Sequence, residues 1–196
     1  MVNIEECVRY VANRIDGAFV ETGVFTGGAS GYALRSMMRN GSIRDYWGFD
    51  SFEGMPQPTI DDGEKARRWV GDDPSAVNAA DYETCLSYLR SSGYPLDRIN
   101  LVKGWFDETL PAYKERIGRI ALLRLDGDFY ASTKVALEQL YSQVATGGIV
   151  IIDDYGSFEG CRKAVDEFLA AKLANPFIHY VENGIRFFVK TVTSSP

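Results

Sequence analysis

Residues 120–126 (IALLRLD) and 149–154 (IVIIDD) decide the fold class of this chain. Each run is mostly Ile, Leu and Val and ends in aspartate, as expected for a parallel strand buried on both faces. If the two strands are neighbours, Asp126, Asp153 and Asp154 meet at the carboxyl edge of one sheet, where strands lie about 4.8 Å apart. Three crowded carboxylates favour a shared cation, and an all-oxygen set suits Mg²⁺ or Ca²⁺ better than zinc.

Outward from these two runs, strand patterns alternate with helix patterns, which is typical of an α/β fold. Strands are predicted at residues 18–21, 46–50, 100–103, 120–125 and 149–152, and helices at residues 29–39, 82–90, 105–116, 132–144 and 158–171. Gly147-Gly148 is predicted to be a turn. The β-rich runs 177–182 and 185–190 flank Asn183-Gly184, a strong hairpin signal, so the sheet should end in an antiparallel pair.

A long insertion separates the strand that ends at Asp50 from the strand that begins at residue 100. Its first part, about residues 54–80, is rich in Gly, Pro and Asp, which predicts irregular structure. An insertion at the carboxyl edge of a sheet is typical of an active-site lid, and the alternative is a solvent-exposed surface loop without a role in the site. We expect residues 1–196 to form a single domain with this lid as its one large insertion.

The composition narrows the classes of partner. The formal net charge is −6 and no Lys/Arg stripe is visible, which argues against a nucleic-acid partner. Neither a membrane-spanning apolar stretch nor a basic-then-apolar leader is present, so no membrane association is expected. The cysteines are widely separated and form no CxxC pair, which predicts reduced packing thiols in a cytoplasmic protein. They are Cys7, Cys85 and Cys161.

A glycine-rich turn at residues 23–28 (GVFTGG) follows the first predicted strand and precedes a helix. Phe25 occupies the place of the middle glycine of the dinucleotide fingerprint G-x-G-x-x-G, so a nicotinamide cofactor is disfavoured. The pattern E-x-G-x-x-x-G that begins at Glu21 is similar to the loop that holds S-adenosylmethionine, although a tight strand-to-helix turn would explain it too. Asp50, at the end of the second strand, suits a ribose.

Five segments, in the right order, resemble the macrocin O-methyltransferase family. They are VETGVFTGGAS, GFDSFEGMPQP, VKGWFDETLP, LLRLDGDFYAST and GGIVIIDDYGSFEGCRKAVDEF. The resemblance covers residues 17–190. It implies a Rossmann-like class I methyltransferase fold, with a seven-stranded, mostly parallel sheet that contains one antiparallel strand. It also implies an enzyme dependent on S-adenosylmethionine and Mg²⁺ that methylates a sugar hydroxyl of a small-molecule natural product or a glycan.

The resemblance also implies roles for individual residues. The cofactor-binding residues would be Glu21, Thr22, Gly23, Gly27, Ser30, Asp50, Ser51, Phe52, Gly104, Trp105 and Phe106. The metal ligands would be Asp126, Asp153 and Asp154. Asp126 is the candidate general base, with Asp128 as the alternative. Catechol-type methyltransferases place a lysine shortly after the first metal aspartate, but here Lys134 lies further on, in a predicted helix, and is expected to face solvent, so a lysine base is not expected.

Two other functions remain open from the sequence. The first is a catechol or phenol O-methyltransferase of the same fold, and the second is a non-catalytic protein that binds a nucleoside cofactor. The intact aspartate trio argues against the second. Family relatives carry a longer segment than residues 1–17 before their first strand, which argues against a large macrolide acceptor and against the usual dimer. A homo-oligomer of another kind stays open.

Overall fold

Seven strands form one mixed sheet in residues 2–172, 174–181 and 184–191, which are the residues that the computed structural model describes. The strands are β1 (Ala18–Thr22), β2 (Tyr46–Asp50), β3 (Ile99–Lys103), β4 (Ile120–Leu125), β5 (Val144–Ile152), β6 (His179–Tyr180) and β7 (Arg186–Val189). Their order across the sheet is β3-β2-β1-β4-β5-β7-β6. β1 to β5 run parallel, and β7 is antiparallel to both β5 and β6. The predicted fold class is confirmed.

Helices cover both faces of the sheet. They are α1 (Val2–Ala12), α2 (Gly28–Arg39), α3 (Gly63–Val70), α4 (Tyr82–Arg90), α5 (Phe106–Ile117), α6 (Tyr130–Leu140) and α7 (Glu159–Ala171). Side chains of α1, α2 and α4 form one core cluster with the sheet, and those of α5, α6 and α7 form the other. In β4, Leu122 belongs to the first cluster and Leu123 to the second, because successive side chains of a strand point to opposite faces.

The glycine pair at residues 147–148 lies inside β5, so the predicted turn there is wrong. Gly147 has a φ of 82° and donates its N–H to the Lys190 carbonyl over 2.8 Å. The register between β4 and β5 shifts in the same region. The pair therefore forms an irregularity of the kind a β-bulge makes, and β5 begins at Val144 rather than at residue 149. The preceding helix, predicted to run to residue 144, ends at Leu140 and gives way to a 3₁₀ turn.

The antiparallel pair at the end of the sheet is shorter than the two predicted runs. His179 pairs with Phe187, and Tyr180 pairs with Arg186. Gly184 has a φ of 93°, as a tight turn between strands requires. Asn183 lies outside the described residues.

The insertion after β2 is more regular than predicted. It contains a 3₁₀ turn (Ile60–Asp62), then α3, then a second 3₁₀ turn (Pro74–Ala76). α3 forms because its apolar residues share one face: Ala66 and Val70 are buried. This face packs into the core cluster on the α5–α7 side of the sheet, so this half of the insertion is not a loose loop.

The strand order places the candidate site. The chain leaves β1 towards β2 and β3 on one side of the sheet, and returns to β4 and β5 on the other side. In open α/β sheets, ligands bind at this topological switch point, outside the carboxyl ends of the strands. Among the described residues, no helix is both long and apolar enough to cross a bilayer.

Candidate functional site

A cleft of about 890 Å³ opens at the carboxyl edge of the sheet, above β1, β2 and β4. Its walls come from the glycine loop, the ends of β2 and β4, the start of α5, the first turns of α6, and the insertion. Its lining residues include Gly23, Phe25, Asp50, Ser51, Trp105, Phe106, Asp126, Asp128, Tyr130, Lys134, Val135 and Glu138. A cleft of this volume can hold a drug-sized ligand.

The glycine loop passes directly against the end of β4. Gly23 has a φ of 88°, and a Cβ at this position would lie 1.7 Å from the Asp126 carbonyl oxygen. The Asp126 N–H donates to the Thr22 carbonyl over 2.9 Å. Only glycine fits at residue 23, so the loop fixes the position of the first site aspartate.

Phe25 adopts a left-handed conformation with a φ of 52°, and 42% of its surface is exposed. This conformation costs a bulky side chain roughly 1–2 kcal/mol. Local strain of this kind is common where a ligand binds, and Phe25 lines the cleft.

Asp50 holds the glycine loop in place. Its Oδ2 accepts hydrogen bonds from the N–H groups of Val24 and Phe25, each over 2.8 Å, and its Oδ1 accepts one from Phe52 over 2.7 Å. An ionised carboxylate has about four acceptor positions, so about one remains for a ligand. The structure thus gives Asp50 a loop-shaping role in addition to its place in the cleft wall.

Glu21 lies beneath the loop and is fully buried. Its carboxylate accepts hydrogen bonds from the Ser30 hydroxyl and from the Tyr46 hydroxyl, the latter over 2.9 Å. It also pairs with the Arg124 guanidinium over 2.8 Å. Glu21 and Ser30 therefore support the loop from inside the protein and do not line the cleft.

Arg124 extends this network to the acidic edge. Its guanidinium lies 2.7 Å from Asp126 Oδ2 and 2.8 Å from Asp153 Oδ1. The Arg124 side chain is buried near the end of β4, an apolar run in which no sequence signal singles it out. Each of the two aspartates uses one oxygen for Arg124 and keeps the other free of it.

Three carboxylates converge at the edge itself. Asp126, Asp128 and Asp154 each place an oxygen within 4.8 Å of the other two. Asp128 reaches this position because its backbone is left-handed, with a φ of 57°, and its N–H donates to Asp154 Oδ2 over 3.2 Å. The predicted trio differs from this cluster in one member, since Asp153 turns towards Arg124 and Asp128 takes its place.

Burial and mutual repulsion change the acidity of this cluster. Burial raises the pKa of Asp126 to about 6, against the opposing effect of Arg124. Burial and the charge of Asp126 raise the pKa of Asp128 to about 7. The pKa of Asp154 is raised well above its usual value, first by burial and then by Asp128. An all-oxygen set that resists ionisation without a counter-charge is the kind of set that Mg²⁺ or Ca²⁺ stabilises.

The eleven predicted cofactor residues divide into two groups. Gly23, Asp50, Ser51, Trp105 and Phe106 line the cleft. The others lie outside its lining: Glu21, Thr22, Gly27, Ser30, Phe52 and Gly104. Gly27 has a φ of 85° just before α2, and a Cβ there would lie 3.1 Å from the Cys85 sulfur, so it shapes the start of the helix.

Sequence reasoning missed one connection near the site. The insertion carries Asp61, Asp62, Asp72 and Asp73, and charged residues of an irregular segment are expected at the surface, but Asp62 is only 1% exposed. Its Oδ1 accepts a hydrogen bond from the Tyr130 N–H over 2.6 Å, at the start of α6. The only available signal was the T-x-x-D spacing from Thr59, which forms a capping box here.

Strand order, glycine loop and cleft position together define a Rossmann-like class I methyltransferase fold. The model of the family described as macrocin-O-methyltransferase (TylF) matches residues 1–190, so the chain belongs to this family. The predicted family resemblance is confirmed.

Relatives of known name agree with this assignment. The chain is 38% identical over 169 residues to the 8-demethyl-8-(2,3-dimethoxy-alpha-L-rhamnosyl)-tetracenomycin-C 4'-O-methyltransferase of Streptomyces olivaceus, covering 85% of this chain and 63% of the relative. It is 37% identical over 171 residues to the demethyldecarbamoylnovobiocin O-methyltransferase of Streptomyces niveus, covering 86% and 64%. The solved structure of the O-methyltransferase NovP matches with a TM-score of 0.85 and 33% identity, over 97% of this chain and 79% of that chain. The chain thus spans less than two thirds of both curated relatives.

Proposed function

We propose that the chain is an O-methyltransferase that transfers a methyl group from S-adenosylmethionine to a sugar hydroxyl with the help of Mg²⁺. The observation that carries this proposal is the position of four carboxylates, Asp126, Asp128, Asp153 and Asp154, at the edge of a cleft that begins at the glycine loop. The family and the relatives support the reaction type. The rhamnosyl oxygen named for the Streptomyces olivaceus relative supports a sugar acceptor.

Besides the acidic edge, two groups of residues line the cleft. The first group, Gly23, Asp50 and Trp105, would hold the cofactor, because the glycine backbone allows close approach. The second group lies on α6, includes Tyr130 and Val135, and would hold the acceptor. S-adenosylmethionine bound against the first group would supply the methyl group on a sulfonium. Holding both reactants in line contributes up to roughly 7–11 kcal/mol of the barrier reduction.

The four carboxylates can share two tasks. Asp126 and Asp154, two members of the converging cluster, would hold the cation together with the Asp153 oxygen that is free of Arg124. Mg²⁺ at this place would supply Lewis-acid stabilisation of the negative charge that develops on the acceptor oxygen.

Asp128 would be the general base. It lines the cleft and makes no ion pair with Arg124, so its carboxylate can face an acceptor hydroxyl. The hydroxyl proton would pass to the Asp128 carboxylate as the acceptor oxygen takes the methyl group of S-adenosylmethionine. The products are the methyl ether and S-adenosylhomocysteine.

Mass spectrometry with a panel of sugar and phenol acceptors tests the reaction, with Mg²⁺ or with EDTA. We expect a mass gain of one methylene on a glycosylated acceptor, lost in EDTA. Methylation of phenols alone would replace the sugar assignment. Binding of S-adenosylhomocysteine without turnover of any acceptor would favour a non-catalytic cofactor-binding protein.

A pair of variants tests the division of labour at the acidic edge. Asp153→Asn should weaken Mg²⁺ binding by at least the roughly 10–100-fold that loss of an outer-shell partner of a metal usually costs. Asp128→Asn should weaken Mg²⁺ binding less than Asp153→Asn does, and should lower kcat by about 10²–10⁴-fold. Isothermal titration and initial rates read the two effects separately. The opposite pattern would exchange the roles of Asp128 and Asp153.

A further inference from the structure

Asp62 connects the insertion to the start of α6. Its Oδ2 accepts hydrogen bonds from the Thr59 N–H over 2.7 Å and from the Thr59 hydroxyl over 2.9 Å. Its Oδ1 accepts one from the Tyr130 N–H over 2.6 Å. Phe129, the residue that precedes α6, makes no side-chain capping bond of its own. A carboxylate from the insertion therefore caps the helix that follows the acidic loop.

The fold keeps space for this carboxylate. At Gly160, near the start of α7, a Cβ would lie 2.1 Å from Asp62 Oδ1 and 3.0 Å from the Tyr130 nitrogen. The starts of α6 and α7 both lie beside Asp62, and the partial positive charge of helix N-termini attracts a carboxylate side chain at such a position. Asp62 is thus built into the junction of three elements.

The capped residue lies two positions after Asp128. The Asp128 backbone is left-handed, which costs about 1–2 kcal/mol unless neighbouring contacts hold it. On one side, the Asp126 N–H is fixed by the Thr22 carbonyl over 2.9 Å. On the other side, the Tyr130 N–H is fixed by Asp62. These two anchors hold both ends of the turn that places the Asp128 carboxylate in the cleft.

Other contacts keep the same part of the insertion in place. The Trp69 ring centroid lies 6.2 Å from that of Phe129 and 5.2 Å from that of Phe158. Lys65 donates a hydrogen bond to the Ser157 carbonyl over 2.6 Å. Residues 59–70 therefore contact both loops that carry site aspartates, the one after β4 and the one after β5.

We propose that Asp62 is a positioning residue for the reaction, which acts by holding the α6 end of the turn that presents Asp128. The inference rests on the proposed function, in which Asp128 removes the acceptor proton. Residues 59–70 then hold the loops of the acidic edge in place, and residues 54–57 and 73–78 of the insertion contribute to the cleft wall.

Three variants separate positioning from general stabilisation of the insertion. Asp62→Ala removes the bond to Tyr130 together with the capping box. Thr59→Ala disturbs the same capping box but leaves the bond to Tyr130, so it is the matched control. Gly160→Ala keeps Asp62 and displaces its carboxylate from the Tyr130 N–H, so it perturbs the same contact from another side.

We expect Asp62→Ala and Gly160→Ala to lower kcat by about 10–100-fold, because small misplacements of reacting groups have effects of this size. The KM for S-adenosylmethionine should stay unchanged, since Asp62 does not belong to the cleft lining, where Gly23, Asp50 and Trp105 would hold the cofactor. Thr59→Ala should keep the kcat of the wild type. Asp62→Asn should restore most of the activity lost in Asp62→Ala, because its amide oxygen can accept the Tyr130 N–H.

Hydrogen–deuterium exchange of the metal-free protein gives a readout that needs no activity. Peptides covering residues 126–132 should exchange faster in Asp62→Ala and Gly160→Ala than in Thr59→Ala or the wild type. Equal exchange in all four proteins, or equal loss of kcat in Asp62→Ala and Thr59→Ala, overturns the inference. If the wild type methylates no acceptor, the proposed function fails, while the exchange experiment still decides whether Asp62 holds the turn.

Discussion

Replacing Asp128 with asparagine should stabilise the metal-free protein while it removes activity. Asparagine fits the left-handed backbone at this position, with a φ of 57°, so the variant changes charge without adding strain. The rise of the Asp128 pKa from 3.8 to about 7 measures how strongly the folded protein disfavours this carboxylate. At about 1.36 kcal/mol per pKa unit, the full penalty at high pH is about 4 kcal/mol.

Only part of this penalty is recovered in the variant. Asp126 and Asp154 lie in the same cluster and are themselves held above their usual pKa, so each can take up a proton and relieve the others. We expect a gain of about 2 kcal/mol, which for a chain of this size raises the Tm by about 4–8 °C.

The direction of the pH dependence follows from the raised pKa. Because the folded protein binds this proton more tightly than the unfolded chain, the metal-free wild type should lose stability as the pH rises from about 4 to about 7. The advantage of Asp128→Asn should therefore be full at pH 8 and less than half as large at pH 5.

Thermal unfolding in EDTA at pH 5 and pH 8 measures these differences. Asp72→Asn, the same chemical change at an exposed residue of the insertion, is the control and should shift the free energy of unfolding by less than about 0.5 kcal/mol. If Asp128→Asn is no more stable than the wild type at pH 8, or equally stabilised at both pH values, the assigned repulsion is wrong.

Three further results are expected. Gly23→Ala should destabilise the protein by about 3 kcal/mol or more, because its Cβ would meet the Asp126 carbonyl oxygen at 1.7 Å. The control is Gly41→Ala, which has open space around it and should cost only about 1 kcal/mol. Urea unfolding compares the free energies of unfolding of the two variants. Phe25→Gly should weaken S-adenosylhomocysteine binding about tenfold or more by isothermal titration, since burying a phenylalanine ring is worth about 1.5–3 kcal/mol; unchanged affinity would remove this residue from the site. Burial raises the pKa of Cys7, Cys85 and Cys161, so a thiol reagent should label none of them in the native protein and all of them in urea. Fast labelling of the native protein would contradict this.

The fold could be predicted from the sequence because its signals are local. Residues 120–125 of β4 and 149–152 of β5 have no polar interruption apart from Arg124. The helix between these strands, α6, buries residues at helical spacing, namely Thr133, Ala136, Leu137 and Leu140. The glycine pair inside β5 was misassigned, because a bulge and a turn use the same residue and differ only in which strands lie beside them.

The site was predictable in position but less so in detail. Aspartates at the ends of neighbouring parallel strands must meet at one edge, which follows from strand order alone. Their orientations depend on contacts between residues distant in sequence, such as Arg124 with Asp153 and Asp62 with Tyr130. The left-handed backbone of Asp128, which brings it into the cluster, carries no local sequence signal.

Arg124 supplies part of the counter-charge of the acidic site. Five carboxyl groups lie near one guanidinium: Glu21, Asp126 and Asp153 pair with it, and Asp128 and Asp154 complete the cluster. One positive charge cannot balance them, so the excess is relieved by raised pKa values, above all at Asp128 and Asp154, which form no ion pair with Arg124. A divalent cation at this edge would replace those protons as the counter-charge, and its binding would release them. Since Arg124 also pairs with Glu21 beneath the glycine loop, the same guanidinium links the cation end of the cleft to its cofactor end.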